Sequence, residues 1–372
     1  MAGVLALVVV ASACDGPRTI DFGPGPAASA TAPASRTEAV AGSPTPQPTR
    51  DPAAACVDCW PLNGMPTKNG QVARTPLLVK IDNAPAARPH YGIAQADMVF
   101  EALVEGGVTR LAAVFHSQDP ATIGGVRSAR LVDRSLTAMV RGALVYSGTS
   151  DYAWSLISKD AALGRYIELS ADHSGGYYRV NFRAAPYNLF TSAAAQRQVL
   201  RTIGYETATD IPTWGFLASA DHPSAIAGMS GAVAAAEITI PYRADTSLVS
   251  YQYDAASRTY ARYQNTGGKP VREVDALTNK AIAATDVVII RTDIWDVPEI
   301  VDAAGSVSND MRLTGSGSAT IFRDGLRQEA TWSRKDDYAP FVFTNPEGEP
   351  ILLSPGQAWV HVIPLEMTVG SR

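Results

Sequence analysis

The sequence has 372 residues, of which 46% are hydrophobic and 18% charged, and a formal net charge of −5. That length suffices for two domains or one large one whose core needs no staple. Basic residues are scattered rather than clustered, which excludes the footprint of a nucleic-acid binder, and past the N-terminus no segment offers the ~20 apolar residues of a membrane-spanning helix.

The chain opens with "MAGVLALVVVASACDG", an apolar run of secretory length ending in small residues before Cys14. Ala11-Ser12-Ala13-Cys14 resembles a bacterial lipobox, so residues 1–13 read as a signal peptide and Cys14 as the lipidated residue that anchors the chain to a membrane. A plain secretory peptide cleaved near Ala13, or a buried strand, is the alternative. The Lys/Arg residues that usually start such a peptide are missing, which points to a start further upstream. Residues 14–55 are rich in Pro, Ala, Ser and Thr and bury too little apolar surface to offset their ordering entropy, so they read as a tether. Cys56 and Cys59 form "CVDC", which in an exported protein reads as a local disulfide, with redox or metal chemistry as the alternatives.

Folded structure is expected from about Trp60. "TPLLVKID" (75–82) has strand length and stops at the turn-like "NAPAARP". In "DMVFEALVEGGVTRLAAVF" (97–115), a helix would stack Asp97, Glu101 and Glu105 in a repelling row. A hairpin around Gly106-Gly107 suits the residues better, because a two-residue turn there needs positive φ. Pairing Glu105 with Val108 sets Leu103 opposite Arg110 and Glu101 opposite Ala112, so Arg110 bridges Glu101 and Glu105 diagonally. Phe100, Ala102, Val104, Leu111, Ala113 and Phe115 then form the core face. Further on, Ser128 caps a helix running to about Arg141, "ALVYSG" is a buried strand, and helical patches follow at 153–157 and 191–203. From Ala236 the pattern turns to strands: "SLVSYQYDAASRTYARYQ", "TDVVIIRTDI", a hairpin at Asp324-Gly325, and "EPILLSPGQAWVHVIP". The class predicted is α+β, with layered mixed or antiparallel sheets, helices mainly in an N-terminal part (60–205) and a β-rich C-terminal part (236–366).

"KIDNAPAARPHYGIAQADMVFEALVEGGVTRLAAVFHS", "IGGVRSARLVD", "GSGSATIFRDG", "TWSR" and "LLSPGQAWVHVIP" together resemble the YerB-like family of bacterial lipoproteins, from about Pro61 to Pro364 and in the family's order. The resemblance implies an exported lipoprotein of layered α+β architecture with no established molecular function. Two positions depart from the pattern it implies: Ala84 and Tyr187 stand where relatives often carry histidine.

No nucleophile elbow, S-x-x-K, phosphate loop or H-E-x-x-H occurs, and the five histidines lack metal-ligand spacing, so neither metal nor cofactor is expected. Two constellations remain. Asp82, Asp97, Glu101, Glu105 and Arg110 form either an ion-pair network, a ligand face, or a carboxylate pair for glycan hydrolysis. Positions 101 and 105 of one strand lie ~13 Å apart, too far for the carboxyl spacing such an enzyme uses unless their side chains converge. "GGVRSAR" gathers Arg127, Ser128 and Arg130 at a predicted helix start, suited to an external anion or to a carboxylate of the fold itself. The tyrosine strands 251–263 with Trp332 carry a weaker suggestion of glycan stacking, and "HSGGYYRVNFR" (173–183) one of a functional loop.

The reading favoured is an extracytoplasmic lipoprotein on the outer leaflet of the cytoplasmic membrane, binding or scaffolding rather than catalytic. Its ligand would be a cell-wall polymer or envelope protein, recognised as anion or glycan through Arg127, Arg130, Arg110, Glu101, Glu105, Asp82, Asn83 and Ser128. The alternative is an envelope hydrolase using Glu101, Glu105 and Asp97.

Overall fold

The structure, a computed structural model, describes residues 56, 58–67, 73–207, 210–218, 226, 228–243, 246–302 and 305–372. The signal peptide, Cys14 and the tether to residue 55 lie outside the described residues.

Strands β1 (Leu77–Asp82), β2 (Met98–Leu103) and β3 (Thr109–Phe115) come first. Helix α1 (Val132–Met139), β4 (Ala143–Tyr146), α2 (Asp151–Ala162), β5 (Ile167–Ser170) and α3 (Ala193–Thr202) follow. Then come β6 (Glu237–Pro241), β7 (Leu248–Asp254), β8 (Thr259–Thr266), β9 (Asp286–Thr292), β10 (Ile294–Val301) and β11 (Val307–Met311). The chain closes with β12 (Gly315–Arg323), β13 (Leu326–Arg334), β14 (Val342–Thr344) and β15 (Ala358–Pro364). The molecule is β-rich, and its strands run through both halves rather than gathering in the second.

The main sheet has the order β14-β13-β12-β9-β15-β2-β3-β1-β4-β5. Strand β15 sits between β9 and β2 and is parallel to both, so residues near the C-terminus join the N-terminal strands to the rest. A second sheet holds β8, β7 and β6. The main sheet is the middle layer. Leu78, Met98, Phe100, Ala112 and Val114 on one face pack with Leu136 of α1 and Ile157 of α2. Val79, Ile81, Val99, Leu111 and Ala113 on the other pack with Ile238, Val249 and Tyr260 of the second sheet and Leu200 of α3. Two covered faces explain why these strands read as near-continuous apolar runs.

Local chemistry sets the helix ends. Ser150 accepts from the Ala153 N–H at 3.2 Å to start α2, and Ser192 from the Ala195 N–H at 3.1 Å to start α3. Ser128 caps nothing: α1 starts four residues later, with Leu131 at its N-cap and Asp133 in its first turn. Its start is stabilised instead by Asp133, whose carboxylate accepts from the Arg130 N–H at 2.6 Å.

The β2–β3 hairpin forms in a different register from the one its turn suggests. Leu103 pairs with Thr109, Ala102 with Arg110 and Glu101 with Leu111. The connection is a wider loop, closed by the Val104 N–H on the Val108 carbonyl at 2.9 Å, with both Gly106 (φ 69°) and Gly107 (φ 72°) left-handed. A one-residue slip re-pairs every facing side chain. Arg110 therefore shares a face with Ala102 and Phe100, while Glu101 points to the opposite face with Leu111, and Arg110 bridges neither Glu101 to Glu105 nor either of them.

Candidate functional site

Glu101 is fully buried where the main sheet meets the second. Its Oε1 accepts from Thr109 Oγ1 at 2.7 Å and Asn83 Nδ2 at 3.0 Å. Its Oε2 accepts from Arg262 Nη2 of β8 at 2.7 Å. Arg262 also donates to Glu273 and lies 4.5 Å from the centre of the Trp359 ring. Glu101 pairs with His361 across β2 and β15, leaving Nδ1 3.6 Å from its carboxylate. The His361 ring is held by the hydroxyls of Tyr242 at 3.1 Å and Tyr251 at 2.8 Å. Burial alone would push the Glu101 carboxyl up, but the Arg262 guanidinium and the Thr109 hydroxyl hold it below its ordinary value. Burial, with Arg262 beside it, pushes His361 down to about 4, so its ring is neutral at pH 7.

Both carboxylate oxygens of Glu101 are hydrogen-bonded within the fold and no solvent reaches them. Glu101 cannot serve as acid, base or ligand-facing group in this fold, and Asn83 is locked beside it. The sequence placed both in one polar cleft; the register puts them on the far side of the sheet from the other members.

Glu105 turns the other way, towards α1. Arg130 grips it with Nε at 2.6 Å from Oε1 and Nη2 donating to Oε2 at 2.6 Å. Burial opposes ionisation, but this fork brings the carboxyl down to about 2. Asp97 sits at the opposite end of β2, accepting from Asn63 Nδ2 at 2.5 Å and from the His116 and Ser117 N–H groups at 2.5 and 3.0 Å. Glu101, Glu105 and Asp97 thus face three separate environments and form no catalytic pair.

The strands β1, β2, β4, β5, β9 and β15 point the same way, and at their carboxyl edge several predicted residues do meet. Asp82, ending β1, accepts from Arg127 Nε at 2.7 Å. Lys80, one turn of the pleat earlier on the same face, holds Asp133 of α1 at 2.7 Å with both side chains buried. Arg130 holds Glu105. Arg110, opposite Asp82 across β1 and β3, is left over: it donates to the Ser128 carbonyl at 3.3 Å, and among the described residues no carboxylate lies within ion-pair distance. Burial, then Arg130 and Arg127, push its guanidinium down to about 10, so it stays charged at neutral pH. The carboxyl edge of parallel strands is where open α/β sheets place their ligands.

Of the other suggestions, Cys56 and Cys59 are joined as a disulfide. Tyr251, Tyr260 and Trp332 are wholly buried and offer no stacking surface, while Tyr253 and Tyr263 of the same strands are half-buried. In the 173–183 stretch, Arg183 lies over the rings of Tyr91, Phe182 and Phe190 and donates to the Ala87 carbonyl at 2.7 Å. Sequence reasoning missed Arg262, Glu273 and His361. The one signal was His361 itself, a polar residue inside the apolar run "AWVHVIP".

Comparison with known proteins fits this architecture. Residues 62–206 match "Protein of unknown function (DUF3048) N-terminal domain" and residues 238–360 match the corresponding C-terminal domain. A Bacillus subtilis (strain 168) protein, YerB, provisionally named a lipoprotein, is 28% identical over 307 residues, spanning 82% of this chain and 86% of its own. The chain belongs to the YerB-like family. The crystal structure of YerB from Bacillus subtilis superposes with a TM-score of 0.69 at 27% identity, covering 84% of this chain and 99% of that one. The family's function is not established, so for this YerB-like chain the functional case rests on the residues above.

Proposed function

We propose that this YerB-like protein is a non-catalytic binding protein of the cell envelope, anchored through a lipidated Cys14 to the outer leaflet of the cytoplasmic membrane, that takes an anionic group of a wall polymer or envelope partner on Arg110 and Arg127. The anchor reading is supported by the lipobox-like sequence and by the lipoprotein name of YerB. The binding reading is carried by one observation: Lys80, Arg127 and Arg130 each hold a carboxylate while, among the described residues, the half-buried Arg110 holds none. A surplus guanidinium beside two others at the carboxyl edge is a receptor for carboxylate or phosphate. Arg127 keeps 29% of its side chain exposed and can share the ligand without releasing Asp82. Ser128, Asp82, Glu105 and Arg130 frame these two arginines.

The test is retention of purified wall fragments by the full chain, with Arg110→Gln and Arg127→Gln as variants. Binding should fall about tenfold or more in Arg110→Gln, the loss of one charge-assisted hydrogen bond, with the fragments recovered uncleaved. Undiminished retention in both variants, or cleavage lost in either, would overturn the reading.

A further inference from the structure

A cleft of about 240 Å³ opens between the α1–α2 layer and the β10–β11 hairpin, where the N-terminal and C-terminal halves meet. Trp295 and Asp310 both line it and are paired directly opposite each other across the hairpin. Directly paired residues present side chains on one face with Cβ atoms about 5 Å apart, so ring and carboxylate stand side by side. Trp295 is 47% exposed, unlike Trp332, Trp359 and Trp214, which are buried in the cores.

The cations of this cleft are already engaged. Arg134 and Arg165 share Asp160 at 2.7 and 3.1 Å, Arg165 also takes Asp337, and Arg312 takes Asp293 at 2.9 Å. Asp310 differs. Its Oδ1 accepts from the Met311 N–H at 2.8 Å, and among the described residues no cation stands within ion-pair distance of it. Burial, with Asp133 and Asp337 nearby and Arg134 opposing them, raises its carboxyl above the ordinary value. A carboxylate in a cleft without a counter-ion is a costly arrangement, and an exposed indole face next to it attracts positive charge. An anion would be repelled by Asp310, and a neutral sugar would use the ring but leave the carboxylate charge uncompensated.

We propose that the Trp295–Asp310 cleft binds an ammonium group, carried either by a peptide side chain or by a small quaternary amine. The indole face takes the cation from one side and the Asp310 carboxylate from the other. This site is separate from the Arg110 edge and of opposite charge preference, so the failure of either leaves the other standing.

The test is calorimetric titration of the full chain with Nα-acetyl-lysine amide, with tetramethylammonium and with N-acetylglucosamine. Saturable binding of a cation is expected, weakened about tenfold in Asp310→Asn and in Trp295→Ala, with Asp310→Asn unfolding at no lower temperature than the wild type. Preference for the lysine amide assigns a peptide side chain as the source, and preference for tetramethylammonium a quaternary amine. Affinity should fall on acidification as Asp310 takes up a proton in the field of Asp133, Arg134 and Asp337. Equal affinity in wild type and Asp310→Asn, absence of heat with both cations, or tighter binding of N-acetylglucosamine than of either would overturn the assignment.

Discussion

Arg262 and Glu101 form a 2.7 Å ion pair in which neither side chain is exposed to solvent at all. One belongs to the second sheet and the other to the main sheet, so the pair ties the two layers together. A buried pair contributes little net stability compared with apolar residues of the same volume, but losing one partner strands the other. Arg262→Ala should therefore cost about 3–5 kcal/mol. The joint replacement of Arg262→Met with Glu101→Leu and with Glu273→Leu, the second buried carboxylate that Arg262 holds, should cost clearly less. Urea unfolding of both variants checks this, and a single-variant loss below about 1 kcal/mol would contradict the buried-pair account.

The neutral His361 gives the molecule an acid-sensitive joint. Its folded pKa, about 4, lies below the ordinary 6.5. The unfolded chain therefore binds the extra proton first, and stability present above pH 6.5 is lost as pH falls towards 4. Between pH 6.5 and 5 this one ring removes about 2 kcal/mol at most. In His361→Gln the difference in unfolding free energy between those two pH values should shrink by up to that amount. His90 and His116, both pushed down to about 3 by burial, should make the wild type lose stability in the same direction.

Asp286 has the opposite sign. Burial raises its carboxyl to about 7 against the pull of Arg323 3.7 Å away. A raised folded pKa gives stability that is complete below the unfolded value and fades as pH rises through 7. Asp286→Asn keeps an acceptor for the Ser354 N–H, now bonded at 2.9 Å, and removes the penalty. At pH 8 the variant should be at least as stable as the wild type, and its advantage should shrink steadily as pH falls from 7 towards 4. A variant clearly weaker at pH 8 would mean that Asp286 is ionised and effectively paired.

Gly124 and Gly125 mark a place where two segments touch. A methyl at Gly124 would overlap the Phe190 ring, and one at Gly125 would stand 2.7 Å from the Tyr187 carbonyl oxygen. Gly124→Ala should destabilise by about 1–3 kcal/mol through overpacking. Gly228→Ala serves as the uncrowded reference, because its φ is not left-handed either and, among the described residues, nothing lies within 4 Å of its added carbon.

Much of the fold was legible because strand period and turn chemistry are local. "TPLLVKID", "TDVVIIRTDI" and the Asp324-Gly325 hairpin form as their residues dictate, and Asp324 (φ 54°) and Gly325 (φ 76°) are both left-handed as a two-residue turn requires. The candidate site was harder to read because it depends on register. "EGG" suits a tight turn as well as the wider loop it forms, and the choice between them decides which face carries Arg110. Burial of Glu101 was invisible for another reason. Its partners Arg262 and His361 lie 161 and 260 residues away in the chain (262 − 101 and 361 − 101), beyond any spacing rule.

The central position of β15 also bears on when the chain can fold. Strand β2 borders β3 on one side and β15 on the other, and β15 ends at Pro364 of 372 residues. Without β15 in place, Met98, Phe100 and Glu101 have no neighbour on that edge and no route to His361. Pairings of such long range form slowly. Strand order thus makes closure of the central sheet, and of the Glu101–His361 contact, wait on the segment that carries β15.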